Sequence, residues 1–109
     1  MATLIGQTKS PFKTAAYQYI RSTDNLPKPE DVGDDPIALV KIFDPGGSWT
    51  WYVAAYDPET HEAYGLVDGF EAEVGYFSFD ELVEVRSRFR LPLERDLYWT
   101  PKKLSECMK

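Results

Sequence analysis

Between Ile37 and Phe77 the chain alternates short apolar runs with tight turn signals. Ile37–Phe43 is β-branched and apolar apart from Lys41, and reads as a buried strand. Asp44-Pro45-Gly46-Gly47 then reads as a turn, because Pro fixes φ at the second position and Gly accepts a positive φ at the third. Trp49–Tyr56 is a second strand and Asp57-Pro58-Glu59-Thr60 a second turn. Ala63–Val67, the turn at Asp68-Gly69, and Glu73–Phe77 complete an antiparallel meander. The period then lengthens. Ser78-Phe79-Asp80-Glu81 has the capping-box order, and Leu82, Val85 and Phe89 share one helical face, with Val83 beside it. The pattern predicts a main helix covering one face of the sheet, ended by Leu91-Pro92-Leu93. A fifth strand is expected over Asp96–Trp99. Thr100-Pro101 would open a short terminal helix with Leu104, Cys107 and Met108 on one side. The expected fold class is α+β: an antiparallel β-meander of four to five strands, one main helix packed on a face, and a short C-terminal helix.

The N-terminal part is less regular. Lys9–Thr23 fits a helix opened by Ser10-Pro11, yet Tyr17, Tyr19 and Arg21 alternate as in a strand; the helix reading is preferred. Asp24–Pro36 holds Pro27, Pro29, Gly33 and Pro36 and reads as a connector. A chain of 109 residues has room for one core. It is therefore expected to be a single domain, with residues 1–36 a variable segment and connector and residues 37–106 the sheet-and-helix core.

The second strand has no polar face. Trp49, Trp51, Val53 and Ala55 alternate with Thr50, Tyr52, Ala54 and Tyr56. One set packs under the helix. The other needs a cover: the N-terminal segment, a second copy of the chain in a homodimer, or a different partner. Trp49, Trp51, Tyr52 and Tyr56 are the aromatic binding candidates.

Charge divides the chain into three. Residues 1–41 hold five acids and five bases, residues 42–85 ten acids and no Lys or Arg, and residues 86–109 three acids and seven bases. Part of this order suits the dipole of the expected helix, with Asp80, Glu81 and Glu84 at its start and Arg86, Arg88 and Arg90 toward its end. The rest solvates turns and outward strand positions, or forms a one-signed field for a basic partner. The acidic surface candidates are Asp57, Glu59, Glu62, Asp68, Glu71 and Glu73.

Other chemistry is sparse. Asp57, Glu59, His61 and Glu62 place four metal-ligating types close together, but their spacing matches neither a calcium loop nor a zinc helix, so no metal or cofactor is expected. Glu94 and Asp96 would point to one side of a strand and Arg95 to the other. The carboxylates could hold Mg²⁺ for a nuclease, with Asp68 or Asp80 as a third ligand. Alternatively Arg95 is a half-buried fork tying loops together through a carboxylate, which is the preferred reading. The bases Arg86, Arg88, Arg90, Lys102 and Lys103, with Tyr98 and Trp99, could contact nucleic acid, but the net charge of −6 argues against it. No residue takes a catalytic role. Cys107 is the only cysteine, which fits a reducing compartment. Neither a signal-peptide order nor an apolar run of roughly 20 residues occurs, so a cytoplasmic protein without a membrane segment is expected.

The order of motifs resembles a known family. Lys41-Ile42-Phe43-Asp44-Pro45-Gly46-Gly47, Thr50-Trp51, Asp57-Pro58, Gly65-Leu66-Val67-Asp68, Gly75-Tyr76, Ser78 with Glu81-Leu82, Leu93-Glu94-Arg95-Asp96 and Leu104-Ser105-Glu106 follow the pattern of a domain of unknown function. That domain occurs in small proteins of plasmids, phages and conjugative elements. The likeness spans roughly Leu39–Glu106, and residues before about Asp35 read as an addition to it. Ala54-Ala55-Tyr56 and Gly69-Phe70 depart from the pattern. The resemblance implies a mobile-element protein that regulates, protects or interferes. With the acidic stretch it leads to an expected non-enzymatic, acidic protein-binding module. Its partner would be a host or element-encoded protein with a basic surface, and its most concrete role anti-defence inhibition by occupying a nucleic-acid-binding surface.

Overall fold

The computed structural model describes residues 19–84 and 92–108. Its centre is a five-stranded antiparallel sheet. A first short strand, β1 (Ile37–Ala38), leads into β2 (Val40–Phe43), followed by β3 (Thr50–Tyr56), β4 (Glu62–Asp68), β5 (Ala72–Ser78) and β6 (Glu94–Arg95). The spatial order is β5-β4-β3-β2-β6, and β1 forms a separate two-stranded sheet with β7 (Lys102–Lys103). Apolar residues Ile37–Phe43 thus make two strands, broken at Leu39, whose N–H donates to the Val53 carbonyl at 2.9 Å. The fifth strand forms at Glu94–Arg95, beside β2, and not at Asp96–Trp99.

The α+β expectation is corrected: the structure is mostly antiparallel sheet with two very short helices, and no main helix packs on a face among the described residues. Ser78 does cap a helix, its hydroxyl accepting from the Glu81 N–H at 3.3 Å. That helix, α1 (Phe79–Leu82), has four residues. Beyond it the Glu84 N–H bonds back to the Glu81 carbonyl, a tight closing turn. Phe79 and Leu82 bury fully, one helical turn apart, so a single turn delivers both anchors to the core. Val85, Phe89 and the three arginines of the expected longer helix lie outside the described residues.

What covers that face is the segment before the sheet. Tyr19, Ile20 and Leu93 bury with Val40, Ile42, Trp51, Val53, Tyr56, Phe79 and Leu82 in one cluster, and Leu26 packs against it. The residues from Lys9 to Gln18, where a helix was preferred, lie outside the described residues; Ser22–Asp24 is a 3₁₀ turn.

The opposite face is closed by the C-terminus. Ala38, Ala54, Leu66 and Leu104 are buried together, with Tyr52, Tyr64, Trp99 and Cys107 packed around them. The terminal helix, α2 (Leu104–Cys107), follows β7 directly, with Lys103 at its N-cap. Thr100-Pro101 therefore precedes a strand and does not cap the helix. Each face of the apolar second strand has an intramolecular cover.

Alternation along β3 breaks once. Val53 pairs with Gly65 but Ala55 pairs with Tyr64, so Ala54 is a bulged extra residue. The bulge carries Tyr56 to the face of Trp51 and Val53, where it buries. The expected grouping of Tyr56 with Tyr52 and Ala54 is thereby corrected. Gly65 sits beside this irregularity, where an added Cβ would run into the Tyr52 carbonyl oxygen and lie 3.2 Å from the Val53 Cα.

Candidate functional site

The acid-only stretch becomes β3, β4, β5 and α1 together with their turns. Its turns are built by their own side chains. Asp44 Oδ1 accepts from the Gly46 N–H at 2.9 Å. Asp57 Oδ1 accepts from the Glu59 N–H at 2.9 Å. The backbone N–H of Glu59 holds the Asp57 carboxyl below its ordinary range, since it favours the charged form. Asp57 is therefore a turn-forming group. His61 closes the same turn at φ 66°, and its N–H donates to the Asp57 carbonyl at 2.7 Å.

Glu59, Glu62, Glu71 and Glu73 are exposed, while Asp57 and Asp68 are half-buried. They do not form one cluster. Glu71 and Glu73 flank a shallow cavity of about 250 Å³ walled by Trp49, Val67 and Phe70. Glu62 lies at the other end of the hairpin, where it and Glu81 border a cleft of about 500 Å³ beside His61 and Tyr76. A further hollow of about 290 Å³ lies between Trp51, Phe77, Glu81 and Leu82. All three open along β5.

The expected aromatic surface is largely interior. Trp51 and Tyr56 are core residues at 7% and 3% exposure. Trp49 and Tyr52 are half-buried: Trp49 packs on Trp51 at 5.9 Å and over Gly69, and Tyr52 meets Trp99 at 5.3 Å. Lys41 Nζ stands 5.8 Å from the Tyr52 ring and 5.5 Å from the Trp99 ring, so this aromatic pair already holds a cation. Among the described residues the exposed rings are others: Phe70 at the β4–β5 turn, Tyr76 on β5, and Tyr98. Phe70 was legible as an apolar residue in a Gly turn, and Tyr76 as an outward position of an edge strand, had the strand order been known.

His61 Nδ1 lies 2.9 Å from Asp80 Oδ1, and its ring stacks on Tyr56 at 6.4 Å. A carboxylate fixes the imidazole's orientation, as in acid–base sites, but the nearby Ser78 hydroxyl is engaged as a helix cap. The Glu94-Arg95-Asp96 cluster is divided. Arg95 forms a two-bonded pair with Asp24, at 2.8 and 2.7 Å. Asp96 pairs with Lys41 at 3.6 Å and accepts from the Tyr98 N–H, while Glu94 is exposed. Among the described residues no three His, Cys, Asp or Glu side chains converge on a metal-sized point.

A family model described as "Protein of unknown function (DUF2958)" matches residues 14–109. The chain belongs to the DUF2958 family. No curated protein and no solved structure matches it. The DUF2958 match starts well before Leu39, so residues 14–34 are part of the family's domain and not an addition to it. The structure gives the reason: Tyr19 and Ile20 are buried core, and Asp24 anchors Arg95.

In this DUF2958 chain the basic C-terminal residues Lys102 and Lys103 are exposed, and Lys102 Nζ lies 5.4 Å from the Trp99 ring. Arg86, Arg88 and Arg90 lie outside the described residues. Cys107 is half-buried against the second cluster, its thiol donating to the Lys103 carbonyl at 3.4 Å. Burial pushes that thiol's pKa up, away from a reactive thiolate. No helix among the described residues is long and apolar enough to cross a membrane.

Proposed function

We propose that this DUF2958 protein is a non-enzymatic protein-binding module that engages a basic surface through the β4–β5 half of its sheet. The observation that carries the reading is the mixture on that half: Glu59, Glu62, Glu71 and Glu73 are exposed around the uncovered Phe70, Val74 and Tyr76. An interface combines apolar anchors with charges that steer and orient the partner, and this half of the sheet offers both. Between Ile42 and Glu84 the sequence holds ten acids and no Lys or Arg.

The wider setting belongs to the same proposal. The motif resemblance supports a plasmid, phage or conjugative element as the source, and the single cysteine supports a cytoplasmic site of action. The most concrete role is anti-defence inhibition, with the acidic half occupying a nucleic-acid-binding surface of a host protein.

The test is charge reversal. A variant carrying Glu59→Lys, Glu62→Lys, Glu71→Lys and Glu73→Lys should keep its fold by circular dichroism, since exposed charges contribute little to stability. It should lose binding to the protein that co-purifies with the wild type, whose affinity should itself fall as salt rises. A folded variant that binds unchanged at low and high salt would overturn the proposal.

A further inference from the structure

β5 is the outermost strand of the five-stranded sheet and pairs on one side only among the described residues. Its ladder with β4 runs unbroken from Glu62↔Ser78 to Asp68↔Ala72, without a bulge. Bonds just outside both ends fix its phase: the Phe79 N–H donates to the His61 carbonyl, and the Gly69 N–H to the Glu71 carbonyl. In an antiparallel pair the bonded positions alternate. Glu73, Gly75 and Phe77 therefore bond to β4, while Ala72, Val74 and Tyr76 aim their N–H and C=O groups at the open edge. Val74 is 42% and Tyr76 60% exposed, so no described residue covers this edge.

Natural sheets protect such edges with proline, lysine, a bulge or a covering element. Among the described residues Ala72–Ser78 has none of these; its one charge is Glu73. The side chains beside the edge sort by face. Val74 and Tyr76 lie with Leu66 and Tyr64 on one face; Glu73 and Phe77 lie on the other, where Glu81, Trp51 and Leu82 border the hollow described above. Resting on the protein-binding reading proposed above, we infer that β5 receives an extended, basic segment of the partner as a sixth strand of the sheet. Main-chain bonds to Ala72, Val74 and Tyr76 hold the segment. Its alternate side chains are apolar beside Val74 and Tyr76, and Lys or Arg beside Glu73 and Glu81. Charge complementarity selects this occupant over a second copy, whose own β5 would bring Glu71 and Glu73 into the same acidic field.

The probe is a blocked nonapeptide alternating valine and lysine, titrated into the isotopically labelled full chain at low salt. Binding should protect the amides of Ala72, Val74 and Tyr76 from hydrogen exchange, and glutamate in place of lysine should weaken it at least tenfold. Two N-methylated versions, each blocked on one edge of the peptide, discriminate strand addition from surface attraction. One should lose at least tenfold in affinity and the other should retain it. Val74→Pro removes an outward N–H without breaking a β4 bond, and should weaken binding similarly. Glu73→Lys with Glu81→Lys gives an independent check should the proline variant unfold. If both N-methylated peptides bind like the parent, strand addition is overturned while the acidic-surface reading stands. No binding at all, or protection at amides away from β5, overturns it as well. A dimer of the free protein that Val74→Pro dissociates would assign the edge to a second copy and also overturn it.

Discussion

Arg95 and Asp24 are separated by 71 positions and meet in a two-bonded ion pair, and the Arg95 Nη1 that donates to Asp24 Oδ2 also donates to the Tyr19 carbonyl at 2.9 Å. Asp24 also accepts from the Arg21 N–H, and the Tyr19 hydroxyl donates to the Leu93 carbonyl at 2.9 Å. One fork thus fastens the N-terminal segment to the edge strand β6. Both side chains are mostly shielded, at 18% and 12% exposure, so removing either leaves a charge poorly solvated. Arg95→Ala and Asp24→Ala should each cost about 2–4 kcal/mol in urea unfolding. The double variant should cost less than the sum, by about 1–3 kcal/mol. Arg95→Lys should recover little, because an ammonium cannot reproduce the fork. Additive effects would show that the pair is not coupled.

Gly65 and Gly75 are cross-strand partners with opposite surroundings. An added Cβ at Gly65 meets the Tyr52 carbonyl group and the Val53 Cα, all backbone beside the Ala54 bulge. Backbone cannot step aside as a flexible side chain does, so Gly65→Ala should cost about 2–4 kcal/mol or prevent folding. At Gly75 a Cβ meets nothing within 4 Å. Gly75→Ala should be neutral or stabilise by up to about 1 kcal/mol, since alanine restricts the unfolded chain. Thermal melts of the two variants decide the point; similar losses at both positions would refute it.

The strands and turns were legible because their signals are local. Asp44-Pro45-Gly46-Gly47 and Asp57-Pro58-Glu59-Thr60 place a side-chain acceptor two residues before a free N–H, and that needs no tertiary context. The helix failed for the opposite reason. Ser78 and Glu81 announce where a helix starts, but its length depends on what else covers the sheet, and that cover came from Tyr19 and Ile20, far away in sequence. The bulge at Ala54 was equally hidden: strict alternation put Tyr56 on the wrong face, and only pairing with Gly65 and Tyr64 reveals the extra residue. At the candidate site the acids could be read from composition. The open edge of β5 could not, since strand order is a property of the whole sheet.

The C-terminal cover supports the second face through few contacts. The Leu104 side chain is 2% exposed beneath Ala54 and Leu66. Trp99 Nε1 donates to the Ala38 carbonyl at 2.9 Å. Leu104→Ala should cost about 2–4 kcal/mol, and Trp99→Ala about 3–5 kcal/mol through lost area and a lost bond. Both should also speed hydrogen exchange at Ala38, which β7 shields. Loss of stability without faster exchange there would mean that β1 and β7 hold together independently of this cluster.

Tyr56 gives the clearest dependence on pH. Its ring packs edge-on against Phe79 at 5.2 Å, and its hydroxyl is buried without a hydrogen-bond partner among the described residues. A buried hydroxyl that has given up water without gaining an acceptor costs on the order of 1–3 kcal/mol. Tyr56→Phe should therefore raise stability by about 1 kcal/mol at neutral pH. Burial, and then the nearby charges of Asp80 and Asp57, push the phenol's pKa upward from its ordinary 10.0. The folded chain thus holds this proton after the unfolded chain has released it. Below pH 10 both states are protonated and nothing is lost; as pH rises above 10 the unfolded state gains by ionising, so stability falls. The slope from this group approaches about 1.4 kcal/mol per pH unit until the folded phenol also ionises. Tyr56→Phe should flatten the decline. Tyr52, whose pKa burial also raises, should leave part of it in place. Urea midpoints at pH 7, 10 and 11 measure both effects. A phenylalanine variant less stable than wild type at pH 7 would show that the hydroxyl has an acceptor in solution, and an unchanged alkaline slope would show that Tyr56 ionises as freely folded as unfolded.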